Sequence, residues 1–289
     1  MKGKGIIIAL MSAIFTSGTH IFLKKSYKEL DPSVSFFFDM LIGLIIWIPM
    51  GIILGATLKG VLKCLIYAFV FDVLSEVLSF YALSKGNLSV STVLISTHSI
   101  YTLIFSTWFN KEILLPIQFL CIILAIMGTI LTIWNSNFTI KDIKNTVVLF
   151  PLITAVSMGL VDTLTKGIIN LTSAADFIVA IALVQIPIAT IILAMSKQKI
   201  STIIKELKSE GIKKYKYSII GPLFNVLGMG CLLLSFEYTY ASIAVTLSEM
   251  YVPIVVIYSV VKLKEKINRI NLCGIIMAVI FTFGIIVIG

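Results

Sequence analysis

The 289-residue chain is 58% hydrophobic and 13% charged, with a mean hydropathy of +1.06, whereas globular domains average about 25% charged residues. Such a composition excludes a soluble catalytic domain and points to an integral membrane protein, because a spanning helix needs roughly 20 apolar residues and runs of that kind fill most of the chain. The net charge of +9 comes from lysines in connections and at helix ends, where they meet lipid headgroups; it reads as a topology signal, and no nucleic-acid partner is expected.

The chain opens with MKGKGIIIALMSAIFTSGTHIFL. Its basic start resembles a signal peptide, but it lacks a small-x-small cleavage site and its apolar run is too long, so it reads as a retained first helix. Spanning helices are expected over 5–24, 34–55, 62–84, 89–109, 114–134, 146–168, 174–195, 217–238, 242–262 and 270–288. The polar stretch 135–145, with Lys141, Asp142 and Lys144, divides a first five-helix repeat (1–134) from a second (146–289). Residues 196–216 carry seven lysines and form the one sizeable loop.

The division rests on a duplication. Residues 235–266 fall on 82–113 without a gap, so that Ser242 meets Ser89, Leu247 meets Leu94, and Lys264-Glu265 meets Lys111-Glu112. The first helices of the two halves also correspond, Ala13 with Ala155, His20 with Asp162 and Lys24 with Lys166. Five helices per copy is an odd number, which inverts the second copy. The expected fold is therefore an all-α integral membrane protein of ten transmembrane helices arranged as two inverted five-helix repeats, the layout that gives secondary transporters a midplane site with two alternative openings. Pro187 and Pro253 lie inside their runs, where each removes a backbone hydrogen bond and kinks the helix; they are packing kinks or hinges. Gly18, Gly159, Gly228 and Gly230 mark close helix contacts.

An ionisable side chain at the centre of a spanning helix costs about 2.5–3.5 kcal/mol on insertion scales, so each one should face the interior. The deep ones are His20, Asp72, Glu76, His98, Asp162 and Glu249, with Lys24, Lys166, Asp39, Asp176 and Glu237 nearer helix ends. Asp72 and Glu76, four residues apart, share one helix face, and their mutual repulsion suits a proton-coupling or cation-binding group. The repeat brings Asp72 onto Asn225 and Ser96 onto Glu249, as a cavity lined by both halves would require. Glu249 is the leading candidate, the competing reading being a buried ion pair with Lys24 or Lys166. His98 is either a hydrogen-bonded bundle residue or a proton carrier, and Tyr101 and Tyr251 are packing or aromatic walls. Cys64, Cys121, Cys231 and Cys273 stand alone and read as core thiols. Neither GxxxxGK[ST] nor HExxH occurs, so no cofactor or metal is expected, and energy would come from an ion or counter-substrate gradient.

Certain motifs carry a family likeness: FYALSKGNLSVSTVL followed by Glu112 in the first half, and SFEYTYASIAVTL, Tyr251-Val252-Pro253 and Glu265 in the second. With these, the chain resembles ten-helix EamA-type permeases of the drug/metabolite transporter superfamily. Pro253 matches that family's mid-helix proline, where the first half has Ile100, and Lys24 matches the lysine closing its first helix. The resemblance implies cytoplasmic termini, whereas the lysine distribution places most positive charge on the other side. The resulting expectation is a multi-pass protein of the cell (inner) membrane, a monomer or dimer. It would move a small polar metabolite, with an amine or amino acid favoured, by alternating access, with protons or a counter-substrate as the coupled partner. The competing class is a non-transporting scaffold or lipid-modifying subunit; no nucleophile-base set supports an enzyme.

Overall fold

The computed structural model describes residues 2–85, 94–133, 146–263 and 268–288. Helix α1, Lys2–Ser26, is followed by α2, Pro32–Ile53, whose first turn is fixed by Pro32 and by Asp31, which accepts the Ser33 N–H at 2.9 Å. Thr57 caps α3, Leu58–Phe71, by accepting the Gly60 N–H at 3.1 Å. The chain then widens into a π-helical turn, Asp72–Val77, before resuming as α4, Leu78–Lys85. The first half closes with α5, His98–Phe109, and α6, Pro116–Ile133.

The second half holds α7, Thr146–Leu171, and α8, Ala174–Met195, the latter capped by Ser173. It continues through α9, Ile200–Glu210, α10, Lys216–Ser235, α11, Ala241–Ser248, α12, Tyr251–Leu263, and α13, Arg269–Ile288. Among the described residues seven helices are long and apolar enough to cross a membrane, with α11 and α12 together forming one of them. The other expected spans are the segment split by the π turn, the segment ending in α5, and the shorter α6. Ile45, Ile66, Trp108 and Phe283 point outward, which suits hydrocarbon as a solvent.

Helix pairing follows the duplication. The first helix of one half lies along the third of the other (α1 on α10, α7 on α3, the π turn and α4), and likewise along the fourth (α1 on α11 and α12, α7 on α5). The equivalent pairs α2–α8 and α6–α13 meet each other. At the last of these, backbones touch: a Cβ on Gly128 would lie 2.9 Å from the Gly274 carbonyl, the small-residue contact that membrane helices use.

Of the four cysteines expected as core thiols, Cys64 and Cys121 are buried, Cys231 is partly buried and Cys273 is exposed on α13. Three features of the helices also depart from expectation. The loop 196–216 contains α9, because Ile200, Ile203, Ile204 and Leu207 recur at helical spacing; Ile203 and Leu207 pack in a cluster with Phe38 and Tyr215. The run holding Asp72 and Glu76 is π-helical. The helix expected over 242–262 breaks at Glu249-Met250. Pro253 lacks the N–H that would bond the Glu249 carbonyl, and the Val252 N–H takes that carbonyl instead at 3.0 Å. The expected linker 135–145, Ser89 and the pair Lys264-Glu265 lie outside the described residues.

Candidate functional site

A cavity of about 100 Å³ lies where α1, the π turn, α4, α5, α7, α10 and the α11–α12 break converge. Its polar lining includes His20, Glu76, His98, Asn225, Glu249 and Tyr251. Glu249 owes its place to the break, which turns the chain at that residue and brings Tyr251 onto His20, with ring centroids 4.4 Å apart and planes 19° from parallel.

His98 stands between two carboxylates. Its Nδ1 is 3.4 Å from Glu249 Oε1 and 3.1 Å from the Ile95 carbonyl, while Nε2 is 3.7 Å from Asp162 Oδ2. Since Nδ1 faces two acceptors, it is the nitrogen that carries a proton. A second proton, on Nε2 or on Asp162, then removes the repulsion of facing lone pairs. Asp162 Oδ2 also accepts from Thr102 Oγ1 at 3.0 Å. The second oxygen of Glu249 is buried and has no hydrogen-bond partner among the described residues. Gly159 permits this group to form: a Cβ there would lie 2.7 Å from Thr102 N and 2.9 Å from the His98 carbonyl, so α7 and α5 meet only because the residue is glycine.

A second acidic group abuts the cavity. Asn225 Nδ2 donates to Glu76 Oε2 at 3.1 Å and to Asp39 Oδ1 at 3.2 Å, and Gln185 Nε2 donates to Asp39 Oδ2 at 3.0 Å. Asp72 is fully buried nearby, its charged neighbours being Glu76 and Asp39.

Six of the candidates from sequence thus line one cavity. Asp162 lies behind His98, Asp72 lies behind Glu76, and Tyr101 packs at the Gly159 crossing. Pro253 shapes the Glu249 break, while Pro187 sits in the unbroken α8 beside Gln185. Asp39, read as near a helix end, is fully buried in the acidic group. Gln185 and Thr102 are neither ionisable nor matched by the repeat to an ionisable residue, although a glutamine amid IVAIALVQIPIAT is itself a polar signal. The ion pair considered for Glu249 does not form: Lys24 is exposed, and Lys166 Nζ donates to the Phe236 carbonyl at the end of α10.

At the face where α1 begins, carboxylates accept from the N–H groups of helix N-termini. Glu112 accepts from Ala241 N at 2.7 Å, Ser242 N at 3.3 Å and Ser242 Oγ at 2.6 Å. Glu237 accepts from Ala174 N at 2.6 Å, and Asp176 from Thr57 N at 2.6 Å. The first of these contacts gives Glu112 of the first Lys-Glu pair a physical role, since it caps the fourth helix of the other half.

A family model described as the EamA-like transporter family matches residues 3–134 and again 145–287. The chain belongs to the EamA-like transporter family. This EamA-like protein is therefore a multi-pass membrane transporter of the drug/metabolite transporter superfamily, and its two matched segments fall on the two copies seen in the sequence. A solved crystal structure is similar over 98% of this chain and 97% of its own, with 12% identity and a TM-score of 0.71, a likeness of fold. A search of curated protein sequences finds no match.

Proposed function

We propose that this EamA-like transporter carries a small organic cation or zwitterion, an amine or amino acid, through the cavity between its halves, in a cell membrane. The observation that carries the reading is the charge of the lining. Among the described residues, the ionisable groups at the cavity are Glu76 and Glu249, the imidazoles His20 and His98, and the phenol Tyr251, with neither lysine nor arginine in the described lining. A phosphorylated or carboxylate-only solute would meet repulsion there, whereas an ammonium would be attracted to Glu249, one buried oxygen of which has no hydrogen-bond partner among the described residues, and would meet the stacked Tyr251 and His20 as an aromatic wall.

In this mechanism Glu249 binds the ammonium, and His98 holds or passes a proton between Glu249 and Asp162, which lie on opposite sides of its ring. The helix break keeps Glu249 at the cavity, and rocking of the halves would part the caps around Glu112, Glu237 and Asp176. A scaffold role fits less well: buried charges that only specify packing are paired, and Glu249 keeps an unbonded oxygen in the core.

Ligand-dependent melting of the purified transporter tests the reading. Primary amines and amino acids should raise the melting temperature in proportion to the logarithm of their concentration, and sugar phosphates and nucleotide sugars at equal ionic strength should not. Stabilisation by phosphorylated solutes alone would reject it.

A further inference from the structure

The acidic group beside the cavity holds three carboxylates, Asp39 on α2 and Asp72 and Glu76 on the π turn; the Asn225 amide bridges Asp39 and Glu76, and the Gln185 amide bonds Asp39. Asp39 and Glu76 have hydrogen-bond donors. Asp72 is fully buried, and neither of its oxygens has a hydrogen-bond partner among the described residues. An ionised carboxylate buried without a bonded partner costs several kcal/mol, so Asp72 is compatible with its surroundings while it carries a proton.

Among the described side chains, the other elements packed against the turn supply no cation to it; on α4, Tyr81 bonds Ser196, and the Lys85 side chain lies outside the described residues. On α8, Asp176 is bonded to the Thr57 N–H; on α7, Asp162 faces His98 and Lys166 bonds the Phe236 carbonyl. On α3, Lys59 and Lys63 are exposed near its start. Tyr27 is the other titratable group near the carboxylates, on the side of Asp39 and Glu76. Among the described residues no three acid, histidine or cysteine side chains converge to hold a metal ion, so the cation that suits this group is the proton. The π turn agrees with a site, since such turns inside α-helices are frequent at functional positions.

We propose that Asp72, with Asp39 and Glu76, is a proton-binding site separate from the Glu249–His98–Asp162 group, and that Glu76 and Asn225 report its state to the cavity. This rests on the transport reading and adds the place where protons bind. A proton arriving by way of the cavity meets Glu76, reaches Asp72 when a side-chain rotation or a water brings the two carboxyls within hydrogen-bond reach, and leaves by the same route when the cavity faces the other side. Asn225 bonds both Asp39 and Glu76 and also lines the cavity, so the charge on the cluster alters the position of a group that a solute touches.

The test needs no solute. Infrared difference spectra of the full-length transporter in nanodiscs, stepped from pH 5 to pH 9, should show a protonated carboxyl band that is lost as pH rises, absent in Asp72→Asn and retained in Glu249→Gln. Should Asp72→Asn fail to fold, Asn225→Ala serves instead; removal of its bonds to two carboxylates should move the titration midpoint by about one pH unit. A wild-type spectrum without a titrating carboxyl band, a band unaltered in Asp72→Asn, or an unmoved midpoint in Asn225→Ala would overturn the proposal. Failure of amine stabilisation, by contrast, would remove the solute assignment and leave this titration standing.

Discussion

Glu112 offers a perturbation whose size can be worked from geometry. Its carboxylate is 5% exposed and receives two backbone N–H groups and a hydroxyl at the start of α11, where Ala241 and Ser242 are themselves fully buried. A hydrogen bond to a charged group contributes about 1.5–3 kcal/mol, and the carboxylate also lies at the positive end of the helix dipole. In Glu112→Gln the charge is lost, and an amide N–H₂ is turned toward a donor or must rotate away. A cost of about 3 kcal/mol falls on the state in which this face is closed. Once the face parts, water can satisfy the same N–H groups, so the open form bears little of that cost. At 1.4 kcal/mol per factor of ten, opening at this face should become roughly 100-fold more favourable. The assay is the labelling rate of a cysteine placed at Ala241 by a membrane-impermeant maleimide, with the four native cysteines replaced. Labelling should accelerate by one to two orders of magnitude in Glu112→Gln, while the protein stays monodisperse in detergent. An unchanged rate in a folded variant would refute the view that this cap closes the face.

Gly159→Leu should drive α5 away from α7, since even a Cβ at that position lies 2.7 Å from Thr102 N. Overpacking of this kind costs about 1–3 kcal/mol; the expected outcome is a lower melting temperature and loss of any amine-induced stabilisation, read in the same melting series. At α9, the Glu206 carboxyl is held below the usual glutamate range by hydrogen bonds from Lys214 and Tyr215. Its contribution is present above the unfolded glutamate value, about 4.3, and is lost as pH falls through the lowered folded value. The protection of the amides in 200–216, taken relative to their intrinsic exchange at each pH, should therefore fall on acidification below about pH 4.3, and Glu206→Gln should abolish that step.

The apolar runs, the short breaks and the duplication made the class of fold legible, because hydrocarbon leaves few alternatives to helices for so apolar a chain. Much of the site was legible for a related reason: ionisable residues are rare in spanning helices, and His20, Glu76, His98 and Glu249 converge on one cavity. What was not legible depends on tertiary geometry. The π turn needs one extra residue per turn and leaves no mark in the apolar periodicity. Asp39 sits only a few residues into α2, and its burial follows from the approach of α8 and α10, which local sequence does not encode. Gln185 and Thr102 carry no charge, so a search by ionisation passes over them. The repeated Lys-Glu pair stood out in sequence, but the use of its first copy's Glu112 as a cap across the two halves emerged only when α5 and α11 were seen together.

Counterflow in proteoliposomes addresses the central claim, that Glu249 binds a cationic or zwitterionic solute in the cavity. Vesicles loaded with an unlabelled amine or amino acid should accumulate the labelled solute transiently through the wild-type transporter, and Glu249→Gln, reconstituted to the same level, should lower that exchange by a factor of ten or more, about 1.4 kcal/mol. Equal exchange by Glu249→Gln, or exchange confined to phosphorylated solutes, would contradict the account.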